Sequence, residues 1–393
     1  MTGKALVAGV GMVKFSKPGR SAAYDAMAVD ATRQALADAD IEYQAVQQAY
    51  VGFVIGDTTA GQQALYQVGL TGIPIINVNN ACSTGSTALF LARQAVESGI
   101  ADVALAVGFE QMLAGALASP FTDRPGVNGM LNVLVNELQG RDEKAPVAAQ
   151  YFGGAAREYQ QKYGTRNETF AKVSVKSRAH AARNPLALFR DPTTVEEVLA
   201  SPAIYGTLTR LQCCPPTCGA AAAVVVSAEY AKKHNLTRAV EIAGQALTTD
   251  LPGSFNDGSM IKGVGFDMTR RAALAAYEQA GSGPEDLDVV ELHDCFTSNE
   301  ILSYEALGLC PVGGAEKFIE DGDNTYGGKV VTNPSGGLLS KGHPLGATGL
   351  AQTAEIVWHL RGEAGERQVP GAKIGLQHNI GLGGACVVTV FRR

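Results

Sequence analysis

Three features of this sequence have the chemistry of group transfer: a cysteine ahead of a small-residue helix, two histidines at loop or strand ends, and a glycine-rich turn. Cys82 lies in Asn79-Asn80-Ala81-Cys82-Ser83-Thr84-Gly85, where a helix over 83–98 is expected to begin. Unpaired backbone N–H groups and the helix dipole favour an anion there. Thiolates so placed can have pKa values lowered to roughly 3.5–7.5, which makes them competent nucleophiles near neutrality. His343 lies in Lys341-Gly342-His343-Pro344-Leu345-Gly346, a tight loop that presents the imidazole at the mouth of a second helix. A histidine there can accept a thiol proton or donate to an enolate oxygen.

His293-Asp294-Cys295-Phe296 ends an apolar strand, and reacting groups favour the carboxyl ends of strands in α/β sheets. Cys295 can move a proton there, and His293 can offer an N–H to an oxyanion. Gly381-Leu382-Gly383-Gly384 follows Gln377-His378-Asn379, and its amides can approach a ligand closely. Each motif alone also has a plain structural reading: a core cysteine, a loop-packing histidine, a polar strand end, a hairpin turn.

The elements that must position these groups follow an α/β order. Strands are expected over 5–10, 49–54, 74–78 and 102–107, with helices over 22–39 and 83–98, the latter closed by Gly99. From 118 to 212 the texture turns polar and mostly helical, with segments over 155–163 and 169–182, which reads as an insertion. The α/β pattern resumes with a strand over 220–226 and a helix over 267–280. Strand 288–292, helix 298–307, strand 329–332, helix 346–360 and strands 373–377 and 386–391 complete it. The expected domains are 1–117 with 213–238, then 118–212, then 239–393.

An internal echo ties the halves together. Cys82-Ser83-Thr84-Gly85-Ser86-Thr87-Ala88-Leu89 aligns with His343-Pro344-Leu345-Gly346-Ala347-Thr348-Gly349-Leu350, with Gly, Thr and Leu coinciding. Small residues let two helices approach closely. If the halves are a duplication, Cys82 and His343 occupy equivalent helix mouths and can face each other; chance similarity of two Gly/Ala-rich helices is the alternative.

Composition bounds the rest. At about 150 residues per domain, 393 residues make two or three domains. A net charge of −6 with no basic stripe argues against nucleic-acid binding. The longest apolar runs, 103–107 and 220–226, are too short for a bilayer, so no membrane insertion is expected. No signal or transit peptide precedes the first strand, and Phe391-Arg392-Arg393 is not a peroxisomal address, so the cytoplasm is the expected location. Seven cysteines, an odd number, argue against a disulfide framework. Cys214, Cys218 and His234 have no zinc spacing, and no metal is expected.

Taken in order, the four motifs resemble the thiolase family, most closely the sterol-carrier-protein-type thiolases. The likeness runs over essentially the whole chain, including 72–80, 211–214 leading into 219–224, 264–268, 304–311, 323–328 and 333–351. It implies an α/β thiolase fold of two duplicated five-layered α-β-α-β-α halves with an inserted loop domain, assembled as a homodimer or homotetramer. It casts Cys82 as the acylated nucleophile and His343 as its activator and part of the first oxyanion hole. His293 takes the place of the Asn in the Asn-Glu-Ala-Phe of most thiolases. The N–H groups of Cys82 and Gly381 match the second oxyanion hole. Phe152, Cys214 and Ser335 match substrate or CoA contacts. One departure stands out: Asn379 occupies the place of the acid/base cysteine of most thiolases, and Cys295 takes that role instead.

The implied reaction is thiolytic cleavage of a 3-oxoacyl-CoA, with CoA as co-substrate and no permanently bound cofactor. Claisen condensation of acyl-CoAs would use the same residues in reverse. A thiolase-like aldolase or scaffold is disfavoured by the presence of Cys82. A lipid-transfer protein is disfavoured because no carrier domain follows residue 393.

Overall fold

The computed structural model describes residues 3–113, 121 and 123–393. The strands of the first half are β1 (Ala5–Met12), β2 (Gln48–Gly52), β3 (Ile75–Val78) and β4 (Val103–Glu110). A small hairpin of β5 (Ala203–Tyr205) and β6 (Leu208–Thr209) precedes β7 (Gly219–Ser227). The second half contributes β8 (Val240–Thr248), β9 (Val289–Glu291), β10 (Val331–Thr332), β11 (Ile374–Gly381) and β12 (Ala385–Arg392).

The sheet runs β3-β2-β4-β7-β1 and then β8-β12-β11-β9-β10. Counting each half by its own strands, both read third-second-fourth-fifth-first. Both pair the first three of that order in parallel and the rest antiparallel. The halves meet where β1 pairs β8 at Leu6 with Glu241 and Val7 with Val240. One topology used twice is what a duplication produces.

Three helical layers enclose the two five-stranded units. The Tyr24–Ala39 helix covers the outer face of the first through Met27, Ala31 and Ala35. The Phe266–Ala280 helix covers the second through Ala272 and Ala276. Between the inner faces lie the Thr84–Glu97 and Thr348–Arg361 helices, packed through Leu89, Ala92, Leu350 and Ala354. β7 is covered on both faces, so it consists almost wholly of Ala and Val and is buried almost throughout.

The echo in the sequence has a steric cause. A Cβ on Gly349 would sit 2.0 Å from Ser86 Oγ and 2.3 Å from Ser86 N, and one on Gly85 would sit 2.8 Å from Gly346 O. Only glycine lets the first turns of the two central helices touch backbone to backbone. That contact carries Cys82 and His343 toward each other.

The inserted region is mostly helical, with helices Gly129–Gln139, Val147–Tyr163, Asn167–Ala181 and Val195–Ala200. Residues 118–120 and 122 of the expected insertion lie outside the described residues. The Asn167–Ala181 helix is fastened to the loop ahead of His343. Ser177 Oγ donates to Gly336 O at 2.5 Å, and Lys176 pairs with the buried Glu300. Among the described residues, no helix is long and apolar enough to cross a membrane.

Besides the β5–β6 hairpin in the insertion, one strand of the large sheet was not expected. The sequence reading passes from 220–226 to the helix at 267–280 without β8, because Glu241, Gly244 and Gln245 interrupt any apolar run there. The strand exists because it completes the second sheet, pairing β12 along most of its length.

Candidate active site

A polar turn sets the position of Cys82. Asn80 N donates to Thr84 Oγ1 (2.8 Å), while Thr84 Oγ1 and Ser83 Oγ donate to Ala81 O (2.6 Å) and Asn80 O (2.8 Å). Asn79 Oδ1 accepts from Ala81 N (3.1 Å). Ala81 itself adopts φ 48°, a left-handed conformation that costs an alanine about 1–2 kcal/mol. The strain is held by these side chains, and it turns Cys82 out of the strand-to-helix path.

Cys82 Sγ, a ring nitrogen of His293 and a ring nitrogen of His343 all lie within 4.8 Å of one another. The two imidazoles meet edge to face, with centroids 5.1 Å apart. A sulfur from the first half thus faces one histidine from each of two loops of the second.

The hydrogen bonds assign the proton on each ring. Thr348 Oγ1 donates to Pro344 O (2.8 Å), which uses its only hydrogen, so at 2.7 Å it accepts from His343 Nδ1–H. That leaves His343 Nε2 as a bare lone pair, buried and without a hydrogen-bond partner. On His293 the assignment is reversed. Asn379 Nδ2 donates to His293 Nδ1 at 2.8 Å, so the ring proton sits on Nε2 and makes that nitrogen a donor.

A chain of buried side chains dictates which way Asn379 points. Gln245 Nε2 donates to Thr389 Oγ1 (3.0 Å), and Thr389 Oγ1 donates to Gln377 Oε1 (3.1 Å). Gln377 Nε2 donates to Ser86 Oγ (2.6 Å), and Ser86 Oγ donates to Asn379 Oδ1 (3.1 Å). Each link consumes one donor and one acceptor, so the Asn379 amide presents its N–H to His293.

Burial decides the charge states. It pushes the Cys82 thiol up to about 12, with Glu110 adding to the rise, while the N–H groups of Cys82 and Leu382 oppose it. Burial pulls His343 down to about 3 and His293 well below the usual imidazole range. Cys82 is half-buried by exposure, and desolvation of its sulfur opposes the lowering that the helix end offers. Desolvation outweighs the helix end, and the pair rests as a neutral thiol beside a neutral imidazole. Glu110, raised to about 7 by burial, holds the surrounding loops by accepting from Val54 N, Ile55 N and Gly346 N.

The remaining sequence-derived candidates divide into near and remote. Cys295 is buried, and its thiol is raised well above the usual range by burial and by the proximity of Cys214 and Cys82. Cys214 N donates to Cys295 O at 2.9 Å, which brings both cysteines to the site. Phe152 stacks on Phe296 at 4.9 Å and forms a wall behind them. Ser335 is fully buried; its hydroxyl and N–H both go to Glu291, so it braces the loop before His343 and has no free group for a ligand. Gly381 ends β11 against Asn80, where a Cβ would sit 2.1 Å from Asn80 O, and the loop amide that faces the sulfur belongs to Leu382.

Sequence reasoning did not single out Thr348, Glu110 or Leu382. Thr348 had a signal in the echo: its counterpart Thr87 likewise donates four residues back, to Ser83 O (3.0 Å), and accepts from Asn80 Nδ2 (3.1 Å). Cys218 and His234, once weighed with Cys214 as ligands, serve elsewhere. Cys218 pairs with Ser16 at a β-bridge and His234 stacks on Tyr230.

A duplicated α/β scaffold that brings one cysteine and two histidines together between its halves is a setting for thiol chemistry. Two family models extend this along the chain: the thiolase N-terminal domain matches residues 6–229, and the thiolase C-terminal domain-like model matches 257–392. The chain belongs to the thiolase family, and the family match supports an acyltransferase. It is 55% identical over 393 residues to sterol carrier protein 2 of Bos taurus, covering 99% of this chain and 72% of that protein. Among solved structures it is similar to the Ltp2-ChsH2(DUF35) aldolase, with a TM-score of 0.82 and 26% identity, covering 99% of this chain and 97% of that one. It also shares its fold with human mitochondrial 3-ketoacyl-CoA thiolase solved in complex with CoA, with a TM-score of 0.72 and 18% identity, covering 100% and 98%.

Proposed function

We propose that this chain is a sterol-carrier-type 3-oxoacyl-CoA thiolase, cleaving its substrate with CoA through an acyl-enzyme on Cys82. The observation that carries the reading is the bare, buried Nε2 of His343 in the same cluster as the Cys82 sulfur. A thiol raised to about 12 needs such a base.

In this scheme His343 Nε2 takes the Cys82 proton as the sulfur attacks the 3-oxo carbon. The C2–C3 bond breaks, and the electron pair becomes an enolate on the CoA fragment. Its oxygen receives hydrogen bonds from His293 Nε2–H and from the newly protonated His343. Cys295 gives its proton to C2, releasing acetyl-CoA or propionyl-CoA. It then takes the proton of incoming CoA, whose sulfur attacks the acyl group. The second oxyanion is held by the Cys82 amide and the Gly381–Leu382 turn. The Cys82 sulfur leaves and recovers its proton from His343. Two oxyanion sites suit this path because charge builds on two different oxygens, and one such donor is worth about 2.7–4 kcal/mol.

A cavity of about 240 Å³ beside the Gly381–Gly384 turn, with Met130, Leu131, Phe255 and Met268 in its walls, suits an alkyl tail. The reading includes the domain division 1–117 with 213–238, 118–212 and 239–393, and a cytoplasmic homodimer or homotetramer. The open edge of β3 supports that assembly.

Thiolysis assays with straight, branched and steroidal 3-oxoacyl-CoAs test the activity. In Cys295→Ala, acylation of Cys82 should persist while exchange of the C2 protons of acetyl-CoA stalls. Exchange at the wild-type rate would remove Cys295 from the mechanism. The structural likeness to an aldolase chain favours a second reading, carbon–carbon cleavage without acyl transfer. Cleavage that yields a free carbonyl product, with no requirement for CoA, would support it.

A further inference from the structure

We propose that Cys82, His293 and His343 also form a binding site for a soft divalent cation of the Zn²⁺ class, and that the bound ion blocks the thiol. The binding stands on the geometry alone; only its inhibitory consequence rests on the acyl-transfer reading.

The three candidate ligand atoms lie within 4.8 Å of one another, and among the described residues this is the one such trio of histidine, cysteine or carboxylate groups. A tetrahedral zinc with bonds of about 2.0–2.3 Å sets its ligands roughly 3.4–3.6 Å apart, so side-chain rotations of about 1 Å close the site. His343 Nε2 is buried and lacks any hydrogen-bond partner, which leaves its lone pair free for a ligand. Its Nδ1–H already donates to Thr348 Oγ1 at 2.7 Å, the outer bond that orients a metal-ligating histidine. One thiolate and two imidazoles select Zn²⁺ or Cd²⁺ over Mg²⁺ or Ca²⁺.

The proton balance is simple. Binding replaces the Cys82 S–H with an S–metal bond and releases one proton to the buffer. On His293 the ring proton moves from Nε2 to Nδ1, and the Asn379 amide turns so that Oδ1 accepts it. Asn379 therefore opposes the metal, because its present orientation keeps His293 a donor. An aspartate at 379 would supply the carboxylate–histidine–metal arrangement that strengthens such sites.

The test is Cd²⁺ titration of the full chain, read by calorimetry and by thiolate-to-cadmium charge-transfer absorption. The expected result is one ion per chain, one proton released, and no response to Mg²⁺. Cys82→Ala and iodoacetamide-alkylated wild type should both lose the absorption, the alkylated protein guarding against a misfolded variant. Asn379→Asp should bind about 10-fold tighter or better, on the scale of outer-sphere effects. Absorption that survives loss of the Cys82 thiol would place the ion on other cysteines and overturn the site, as would equal affinity in Asn379→Asp. Zn²⁺ should abolish thiolysis reversibly, with chelator restoring it and prior acylation protecting. Undiminished thiolysis with the ion bound would overturn the inhibitory half. A chain that binds Cd²⁺ as described yet performs no thiolysis would refute the functional reading and leave the metal site standing.

Discussion

Replacing Thr348 by valine keeps the shape of the side chain and removes one oxygen. That oxygen donates to Pro344 O and accepts from His343 Nδ1, so its loss strands a buried N–H and frees the ring to shift its proton to Nε2. Leaving such a donor unsatisfied costs about 1–3 kcal/mol. At 1.36 kcal/mol per factor of ten, the acylation rate constant should fall about 5- to 150-fold. Rapid-quench measurement of acyl-enzyme formation reads this step directly, with CoA affinity expected to stay unchanged. Thr348→Ser retains the hydroxyl and should recover most of the rate. Acylation by Thr348→Val at the wild-type rate would refute the proton assignment on His343.

Three further outcomes follow from the geometry. Asn379→Leu removes the donor that holds the His293 proton on Nε2; C2 deuterium exchange of acetyl-CoA should slow by up to roughly 10²–10³, the value of one oxyanion donor, while alkylation of Cys82 is unaffected. Gly349→Ala drives a methyl into Ser86, and urea unfolding should show a loss of about 1–3 kcal/mol. With Cys82 raised to about 12 and His343 lowered to about 3, neither group titrates near neutrality. Because only the thiolate reacts, alkylation by iodoacetamide should rise about tenfold per pH unit from about pH 6 to 9. A plateau in that range would instead reveal a resting thiolate–imidazolium pair.

The sequence carried the scaffold because its signals are local. Ala- and Val-rich runs mark β4 and β7, Gly99 with φ +74° ends its helix, and the Gly85/Gly349 echo reports a backbone contact. The same echo sets Cys82 and His343 at matching helix mouths, and the folded chain puts them side by side. What stayed hidden depends on residues far apart in the chain. The relay from Gln245 through Thr389, Gln377 and Ser86 to Asn379 draws on four elements, and no spacing rule reveals it. Desolvation at Cys82 is likewise a property of the packed whole, which the local sequence of the helix end does not report. Ser335, matched to a substrate or CoA contact by resemblance alone, is engaged by Glu291, 44 residues away, a pairing that no local signal reports.

The most direct test of the central claim is peptide mass spectrometry after mixing the protein with a 3-oxoacyl-CoA and quenching in acid. The account predicts an acyl group on Cys82, discharged on addition of CoA and absent in Cys82→Ala. Turnover by Cys82→Ala, or the acyl group resting on a different cysteine, would contradict it.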